Sequence, residues 1–252
     1  MYPDLFGIPN FSYMFMLILG LISAFVIAVI YFVKTGISRN GIIDTCASGL
    51  FAIAIGIVGA ILTQNLYNFI DNPSSYVWTW SMTFYGGLIF GVGGFLLAFY
   101  LLTRKTRSIS IKSILIIAPA CITAAHALGR IGCFLAGCCY GIEIENGLQC
   151  SSVDELYHLP TQLIESGFLF ILSSIFIVIA FKKNYKYAFP VYMIAYGLFR
   201  FIIEFFRSDE RGSFILGLSP SQFWCLIIIA LCIPTYYLFK LVIFKEEGKQ
   251  ND

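Results

Sequence analysis

The sequence predicts an all-α polytopic membrane protein with seven transmembrane helices. Of its 252 residues, 59% are hydrophobic and only 12% are charged, and the mean hydropathy is +0.84. Apolar segments of membrane-spanning length recur along the whole chain, and basic residues cluster at alternate ends of these segments. This composition excludes an ordinary soluble domain of the same length.

The apolar segments are expected to be helices because, in lipid, backbone N–H and C=O groups must satisfy one another. Most segments contain 19–23 residues, close to the roughly 20 that cross a hydrocarbon core. The fourth is shorter, with 16 residues before Gly129. In chain order they are Phe11–Val33, Ile42–Leu62, Met82–Leu102, Ser113–Leu128, Thr161–Phe181, Ala188–Phe206 and Phe223–Phe244.

The distribution of basic residues predicts the orientation of these helices. Twelve of the 16 basic residues lie on one side, in the segments that follow helices 1, 3, 5 and 7. By the positive-inside rule this side is the cytoplasm, so the N-terminus is expected outside and the C-terminus inside. No linker divides the chain. We therefore expect one membrane domain over residues 1–252, with an outer functional loop over residues 129–160.

The four remaining basic residues are all arginines of the outer half: Arg130, Arg200, Arg207 and Arg211. A charge near the bilayer centre costs about 2.5–3.5 kcal/mol on insertion scales. Arg200, Glu204 and Arg207 are spaced to share one face of helix 6, which must then face the bundle interior or a polar cavity. An arginine fork suits phosphate. The alternative is a structural Arg–Glu pair at a helix end.

Glycines surround Arg130 and recur in helix 3. Four of them are expected to interrupt helix 4 at the outer face, where freed backbone N–H groups would form an anion cradle. Helix 3 offers a comparable patch next to Tyr85. Tight helix packing is the alternative role for these small residues. The glycines are Gly129, Gly132, Gly137 and Gly141 near helix 4, and Gly86 and Gly87 in helix 3.

Three of the eight cysteines follow Arg130 closely: Cys133, Cys138 and Cys139. Their spacing differs from the usual zinc patterns, and two adjacent cysteines are poor ligands for one metal, so no metal or other cofactor is expected. An oxidising exterior permits a disulfide that ties the outer loop. A reactive thiol or thiol pair is the alternative.

His126 lies one helical turn before Arg130, on the same predicted face. Histidine carries protons near neutral pH. A satisfied polar contact is the commoner role of a lone membrane histidine, but the neighbouring arginine makes His126 the better base candidate of the chain's two histidines.

With these residues in hand, the sequence resembles the prolipoprotein diacylglyceryl transferase family. The resemblance covers most of the chain in order, and Tyr13 matches a tyrosine that the family uses. The motifs that carry it are YGGLIFGVGG in helix 3, GRIGCFLAGCCYG after helix 4, HLPTQLIES entering helix 5, YGLFRFIIEFFRSD in helix 6 and LSPSQF entering helix 7.

The resemblance implies a reaction. Enzymes of this family move the diacylglyceryl group of phosphatidylglycerol to the thiol of a lipobox cysteine in a secreted precursor, releasing glycerol phosphate. Arg130 and Arg200 would then hold the phosphate and stabilise the leaving group. Glu204 and Arg207 would orient that pair. Tyr13 and the glycines, including Gly129, Gly132, Gly86, Gly87 and Gly141, would contact substrate.

The chain departs from the family motif in the part of the site that is expected to bind the acceptor thiol. The family has histidine where this chain has Tyr85, asparagine where it has Cys133, and an acid where it has Cys138. A tyrosine, with an unperturbed pKa of about 10, is a poor base at neutral pH, so either His126 replaces the missing histidine or the reaction differs.

The sequence therefore predicts a phosphatidylglycerol-dependent diacylglyceryl transferase of the bacterial plasma membrane, with its site open toward the outer leaflet. The expected partners are phosphatidylglycerol, a secreted lipoprotein precursor and the lipid bilayer, with no nucleic acid. Two alternatives come from other classes of protein: a membrane thiol–disulfide redox protein on the same scaffold, and a non-catalytic lipid-binding maturation partner.

Overall fold

A computed structural model describes residues 11–151, 154–183, 185–208 and 218–244. Within these ranges most of the chain is helical. The helices are α1 (Phe11–Lys34), α2 (Arg39–Asp71), α3 (Phe84–Thr106), α4 (Ile111–Ala136), α5 (Thr161–Lys183), α6 (Ala188–Ile203) and α7 (Pro220–Leu238), with one short strand, β1 (Glu143–Leu148).

The prediction of an all-α polytopic membrane protein is confirmed. In the described part of the chain, seven helices are long and apolar enough to cross a membrane. They begin and end close to the predicted bounds, except that α2 extends to 33 residues and α4 continues to Ala136.

The chain divides into two compact units, of which the smaller spans residues 32–110. Its helices α2 and α3 approach closely through glycines. A methyl group on Gly56 would lie 3.1 Å from the Gly87 carbonyl oxygen, and one on Gly86 would lie 2.8 Å from the Gly59 oxygen. Helix packing therefore accounts for Gly86 and Gly87, as expected for small residues in membrane helices.

The larger unit contains residues 1–31 and 111–252. Side-chain hydroxyls join α5 to α4: Ser166 donates to the Ala127 carbonyl oxygen at 2.9 Å, and Ser173 donates to the Ala120 oxygen at 3.0 Å. Hydrogen bonds between helices are favoured in lipid because water offers no alternative partner. These two bonds hold α5 beside the half of α4 that leads to Arg130.

The end of α4 corrects one expectation. Gly129 and Gly132 do not interrupt the helix, which continues through both to Ala136. It ends instead at Gly137, whose φ is +71°. The Gly137 N–H donates to the Phe134 oxygen and the Cys138 N–H to the Cys133 oxygen, which is the Schellman pattern of a helix C-terminus. Of the predicted outer loop, residues 129–136 thus belong to α4, and the described residues between α4 and α5 contain β1.

The end of α6 corrects another. The α-helix ends at Ile203, Glu204–Phe206 form a 3₁₀ turn, and Arg207 has extended backbone. Arg207 is thus not on the helical face it was expected to share with Arg200. Its segment instead pairs antiparallel with Gly141, and the Ile142 N–H donates to the Phe206 oxygen at 2.9 Å.

Candidate active site

A carboxylate that the sequence analysis did not single out lies at the centre of the site. Glu165, on the first turns of α5, is 1% exposed, and its Oε2 lies 3.0 Å from Nε of Arg130. Its other oxygen accepts a hydrogen bond from the Tyr196 hydroxyl at 3.0 Å and lies 3.7 Å from Nε2 of His126. Three helices, α4, α5 and α6, therefore meet at one buried acid.

His126 and Arg130 reach this acid together because they are four positions apart on α4, which places them on the same helix face. His126 keeps 31% of its side-chain exposure and packs edge-on against the Tyr196 ring at 5.1 Å. His126 and Arg130 thus share one neighbourhood, with Glu165 as the contact that joins them.

Arg200 forms the second charged cluster, and it is 6% exposed. Its Nη2 lies 2.8 Å from Oε2 of Glu204 and donates to the Ser221 hydroxyl at 3.1 Å. Ser219 donates to the other Glu204 oxygen at 2.8 Å. Ser219 is also the N-cap of α7, in a reciprocal capping box with Gln222. The start of α7 therefore positions the Arg200–Glu204 pair.

In both clusters a buried guanidinium nitrogen lacks a hydrogen-bond partner among the described residues. Nη1 of Arg200 is buried and has no hydrogen-bond partner in the described part of the chain. Nε of Arg130 is close to Glu165, but its N–H is not aligned for a hydrogen bond to that carboxylate. Both guanidinium groups lie within electrostatic range of Glu165. A buried donor left unpaired is costly, so these atoms are suited to an incoming anion.

Arg207 reaches the site from extended backbone rather than from the helix. Its Nε lies 3.8 Å from Oε2 of Glu204, and its side chain is 3% exposed. The pairing of its segment with Gly141 requires glycine at that position, because a methyl group on Gly141 would lie 2.7 Å from the carbonyl oxygens of both Leu159 and Phe206. Gly141 therefore permits the backbone approach that places Arg207.

The three cysteines that follow Arg130 converge in space. The sulfur atoms of Cys133, Cys138 and Cys139 all lie within 4.8 Å of one another, and each side chain is half-buried. Cys139 has a φ of +66°, a left-handed conformation that departs from the extended geometry in which adjacent side chains point apart. On this backbone the adjacent cysteines Cys138 and Cys139 therefore bring their sulfur atoms together.

The thiols also interact electrostatically. Hydrogen bonds with Cys133 and Cys138 lower the pKa of the Cys139 thiol, and the charge of Arg207 lowers it further. Hydrogen bonds with Cys133 and Cys139 raise the pKa of the Cys138 thiol. One thiolate in the cluster is thus favoured at Cys139, beside Arg207.

The start of α1 packs beside Arg130 and the three cysteines. A methyl group on Gly132 would lie 3.1 Å from the Tyr13 ring and 3.2 Å from Met16, whereas one on Gly129 would meet only Leu17, at 3.7 Å. The Tyr13 hydroxyl is close enough to Arg130 and the cysteines to interact with them electrostatically. Gly132 thus permits close approach of α1 to α4, and Tyr13 borders the site.

His158 has a structural part in the excursion after α4. Nδ1 lies 3.0 Å from the Gly141 carbonyl oxygen and Nε2 lies 2.9 Å from the Asp154 carboxylate, while its ring packs against Tyr140. The hydrogen bond with His158 lowers the pKa of Asp154. Burial raises the pKa of the nearby Cys150 thiol. Both ring nitrogens of His158 are therefore engaged.

The structure does not describe the side chains of two predicted residues, Arg211 and Tyr85. Arg211 lies beyond the described residues, and so does the side chain of Tyr85, although its backbone belongs to α3.

Comparison with known proteins shows the family of this chain. A family model described as prolipoprotein diacylglyceryl transferase matches residues 3–238. The chain belongs to the prolipoprotein diacylglyceryl transferase family. A relative from Clostridium perfringens is 33% identical over 98% of both chains. One from Clostridium tetani is 30% identical over 97% of this chain and 98% of its own.

The relatives' names support the transferase prediction. The Clostridium tetani relative is named phosphatidylglycerol–prolipoprotein diacylglyceryl transferase, and so is a Finegoldia magna relative, 29% identical over 98% of both chains. They support this interpretation and not the redox or non-catalytic alternatives. The family membership and the seven apolar helices together describe a multi-pass bacterial membrane protein.

Sequence reasoning missed Glu165, Tyr196 and the serines of the α7 start. One signal was available for Glu165: an acid inside an apolar spanning segment is a functional-site candidate by default. The hydroxyl groups carried no such signal, because only the packing of α5, α6 and α7 brings them to the charges.

Proposed function

We propose that this protein transfers the diacylglyceryl group of phosphatidylglycerol to the thiol of a lipobox cysteine in a secreted precursor. The bond from the glyceryl carbon to a phosphate oxygen breaks, and a carbon–sulfur bond forms. The electron pair of the broken bond leaves with glycerol phosphate. Both substrates are those in the relatives' names.

The observation that carries the proposal is Nη1 of Arg200, which has no hydrogen-bond partner among the described residues and is buried in a site that contains a second arginine, Arg130. A guanidinium group donates in a fixed fork that matches phosphate oxygens. In a water-excluded site such donors stabilise the negative charge that develops on the leaving phosphate. Arg130 and Arg200 are therefore the proposed catalytic contacts to the phosphodiester.

The acids of the site act as positioning residues in this proposal. Glu165 lies beside Arg130 and Glu204 beside Arg200, so each acid fixes one guanidinium without using all of its donors. Arg207, near Glu204, adds positive charge at the same position. The arrangement is preorganised, since the donors are oriented before the substrate arrives.

The acceptor thiol requires a base, because the thiolate is the nucleophile. We assign this role to His126, which keeps an exposed edge while facing Glu165. Tyr85, at the family's usual histidine position, is the alternative base. Tyr13 and the glycines Gly129, Gly132, Gly141, Gly86 and Gly87 are assigned to substrate contact or to the backbone approaches that permit it.

The proposed location of the reaction follows from charge. With Lys and Arg concentrated at the other ends of the helices, the arginine site lies in the outer half of the plasma membrane, the N-terminus outside and the C-terminus in the cytoplasm. A site open toward the outer leaflet meets a secreted precursor, and residues 1–252 act as one membrane domain.

The experiment measures transfer of labelled phosphatidylglycerol in vesicles to a peptide with a lipobox cysteine. Arg130→Ala and Arg200→Ala should each slow turnover by roughly 100-fold or more, the cost of removing an oriented charge donor. Lysine should rescue poorly, since it lacks the fork. Arg104→Ala, in the last turn of α3, is the matched control. Near-normal turnover in either alanine variant of the site would refute the phosphate contacts.

A further inference from the structure

The three sulfur atoms near Arg130 have the spacing of a metal site. All lie within 4.8 Å of one another. Zinc–sulfur bonds of about 2.3 Å in a tetrahedral site place sulfurs about 3.8 Å apart, so small side-chain rotations suffice to close the cluster around one ion. Thiolate ligands select soft or borderline ions such as Zn²⁺.

The backbone holds these ligands in place before any ion binds. Cys133 belongs to the last turn of α4, and the Schellman cap returns the chain toward it. Two buried side chains of α5 then fix the adjacent carbonyls. Gln162 donates to the Cys138 oxygen at 2.7 Å, and Thr161 donates to the Cys139 oxygen at 2.9 Å.

The surrounding charges favour thiolates. Three thiolates and one Zn²⁺ carry a net charge of −1, which a neighbouring cation stabilises. Arg207 interacts with Cys139, and Arg130 with Cys133. These arginines belong to the phosphate site, so the sulfur cluster borders the reacting groups rather than lying elsewhere in the fold.

The cluster leaves one coordination position open. In the described part of the chain, the group of ligand atoms contains only these three cysteines. The imidazole of His158, in the same excursion, is engaged by Gly141 and Asp154. Catalytic zinc sites have three protein ligands and an open fourth position, whereas structural sites are closed.

We propose that Cys133, Cys138 and Cys139 bind one zinc ion, whose fourth position takes the thiol of the acceptor peptide. The second half of this statement rests on the proposed function. A free thiol, with an unperturbed pKa of about 8.5, is mostly protonated at neutral pH. Coordination to zinc deprotonates a thiol outright, so the ion supplies the acceptor as thiolate.

The step balances without a redox partner. His126 accepts the proton of the acceptor thiol when the thiol sulfur binds zinc, and a sulfur lone pair then forms the bond to the glyceryl carbon. The carbon–oxygen bond to phosphate breaks, and glycerol phosphate leaves with that electron pair beside Arg130 and Arg200. Zinc keeps its oxidation state throughout.

The first experiment measures metal content. The chain, purified in detergent with reductant and without chelator, should contain one zinc per chain. Each of Cys133→Ser, Cys138→Ser and Cys139→Ser should weaken Zn²⁺ binding by at least about 100-fold, more than outer-shell changes cost. Cys46→Ser, a half-buried cysteine of α2, is the matched control and should keep the zinc.

The second experiment needs no variant. The wild-type chain, stripped by chelator and kept reduced, is titrated with Co²⁺, whose bonds to thiolates give charge-transfer absorption. One equivalent should bind. A lipobox peptide with cysteine should then change the spectrum, and the same peptide with serine should not.

The outcomes separate this proposal from the proposed function. Absence of zinc and of Co²⁺ uptake in the reduced chain overturns the metal site, even if lipid transfer proceeds normally. Binding of Co²⁺ with no response to the cysteine peptide overturns the acceptor role. Metal binding and a peptide response without lipid transfer would uphold the zinc site while refuting the transferase.

Discussion

Glu165 offers the sharpest test of the charged site, because one buried carboxylate contacts groups on two other helices. Glu165→Gln keeps the shape and a hydrogen-bond acceptor for Tyr196, but it removes the charge beside Arg130. Breaking a buried ion pair from one side costs about 3–5 kcal/mol, because the partner charge is left uncompensated. Arg130 is 12% exposed, so we expect the lower end, about 3 kcal/mol.

The assay is thermal unfolding in detergent at a fixed scan rate, since unfolding of such proteins is often irreversible. At about 2–4 °C per kcal/mol for a chain of this size, Glu165→Gln should lower the apparent Tm by about 6–12 °C. Tyr196→Phe is the matched control: it removes one hydrogen bond to the same acid and should cost only about 1 kcal/mol.

A double variant separates lost pairing from general damage. In Glu165→Gln with Arg130→Met no uncompensated charge remains, so the double variant should be less destabilised than the sum of the single variants by about 0.5–3 kcal/mol. A wild-type Tm in Glu165→Gln, or strict additivity in the double variant, would refute the view that Glu165 balances the charge of Arg130.

Two further predictions concern the base and the backbone around Arg207. His126→Gln should slow transfer by about 100- to 10,000-fold, the usual contribution of a general base, and Tyr85→Phe should do less; a greater loss in Tyr85→Phe in the vesicle assay would move the role to Tyr85. Gly141→Ala should destabilise the protein and reduce turnover because its methyl group would meet two backbone oxygens at 2.7 Å. Gly93→Ala should leave both unchanged, because its methyl group would meet no described atom within 4 Å beyond its own stretch of helix; equal Tm values for the two variants would show that the approach at Gly141 relaxes freely.

The helices were largely predictable from sequence because their signal is local. A run of about 20 apolar residues predicts a spanning helix wherever it occurs, since lipid leaves the backbone no other way to satisfy its polar groups. The bounds of α4 were less predictable. Gly129 and Gly132 suggested an interruption, yet neighbouring turns tolerate them and the helix continues to Ala136. Glycine permits a helix to end but does not require it.

The candidate site was predictable in its charges and not in its contacts. Arg130 and Arg200 are conspicuous because charge in apolar surroundings is costly. Their partners were not: Glu165 lies 35 residues after Arg130 in the chain, and only the packing of α5 against α4 brings it within 3.0 Å. The helical spacing of Arg207 was misleading, because the α-helix ends at Ile203, before that residue.

The sequence by itself determined what must lie in the membrane and which groups are too costly to be there without a role. Hydropathy, segment length and charge depend on residue type and order alone, so they can be determined without knowledge of packing. The tertiary structure decided which of these groups meet. The three thiols converge because a helix ends in a left-handed turn at Gly137 and a second positive φ follows at Cys139, and the buried acids meet their arginines because separate helices pack together. Such convergence depends on backbone angles and on contacts between residues distant in sequence, which no local pattern encodes.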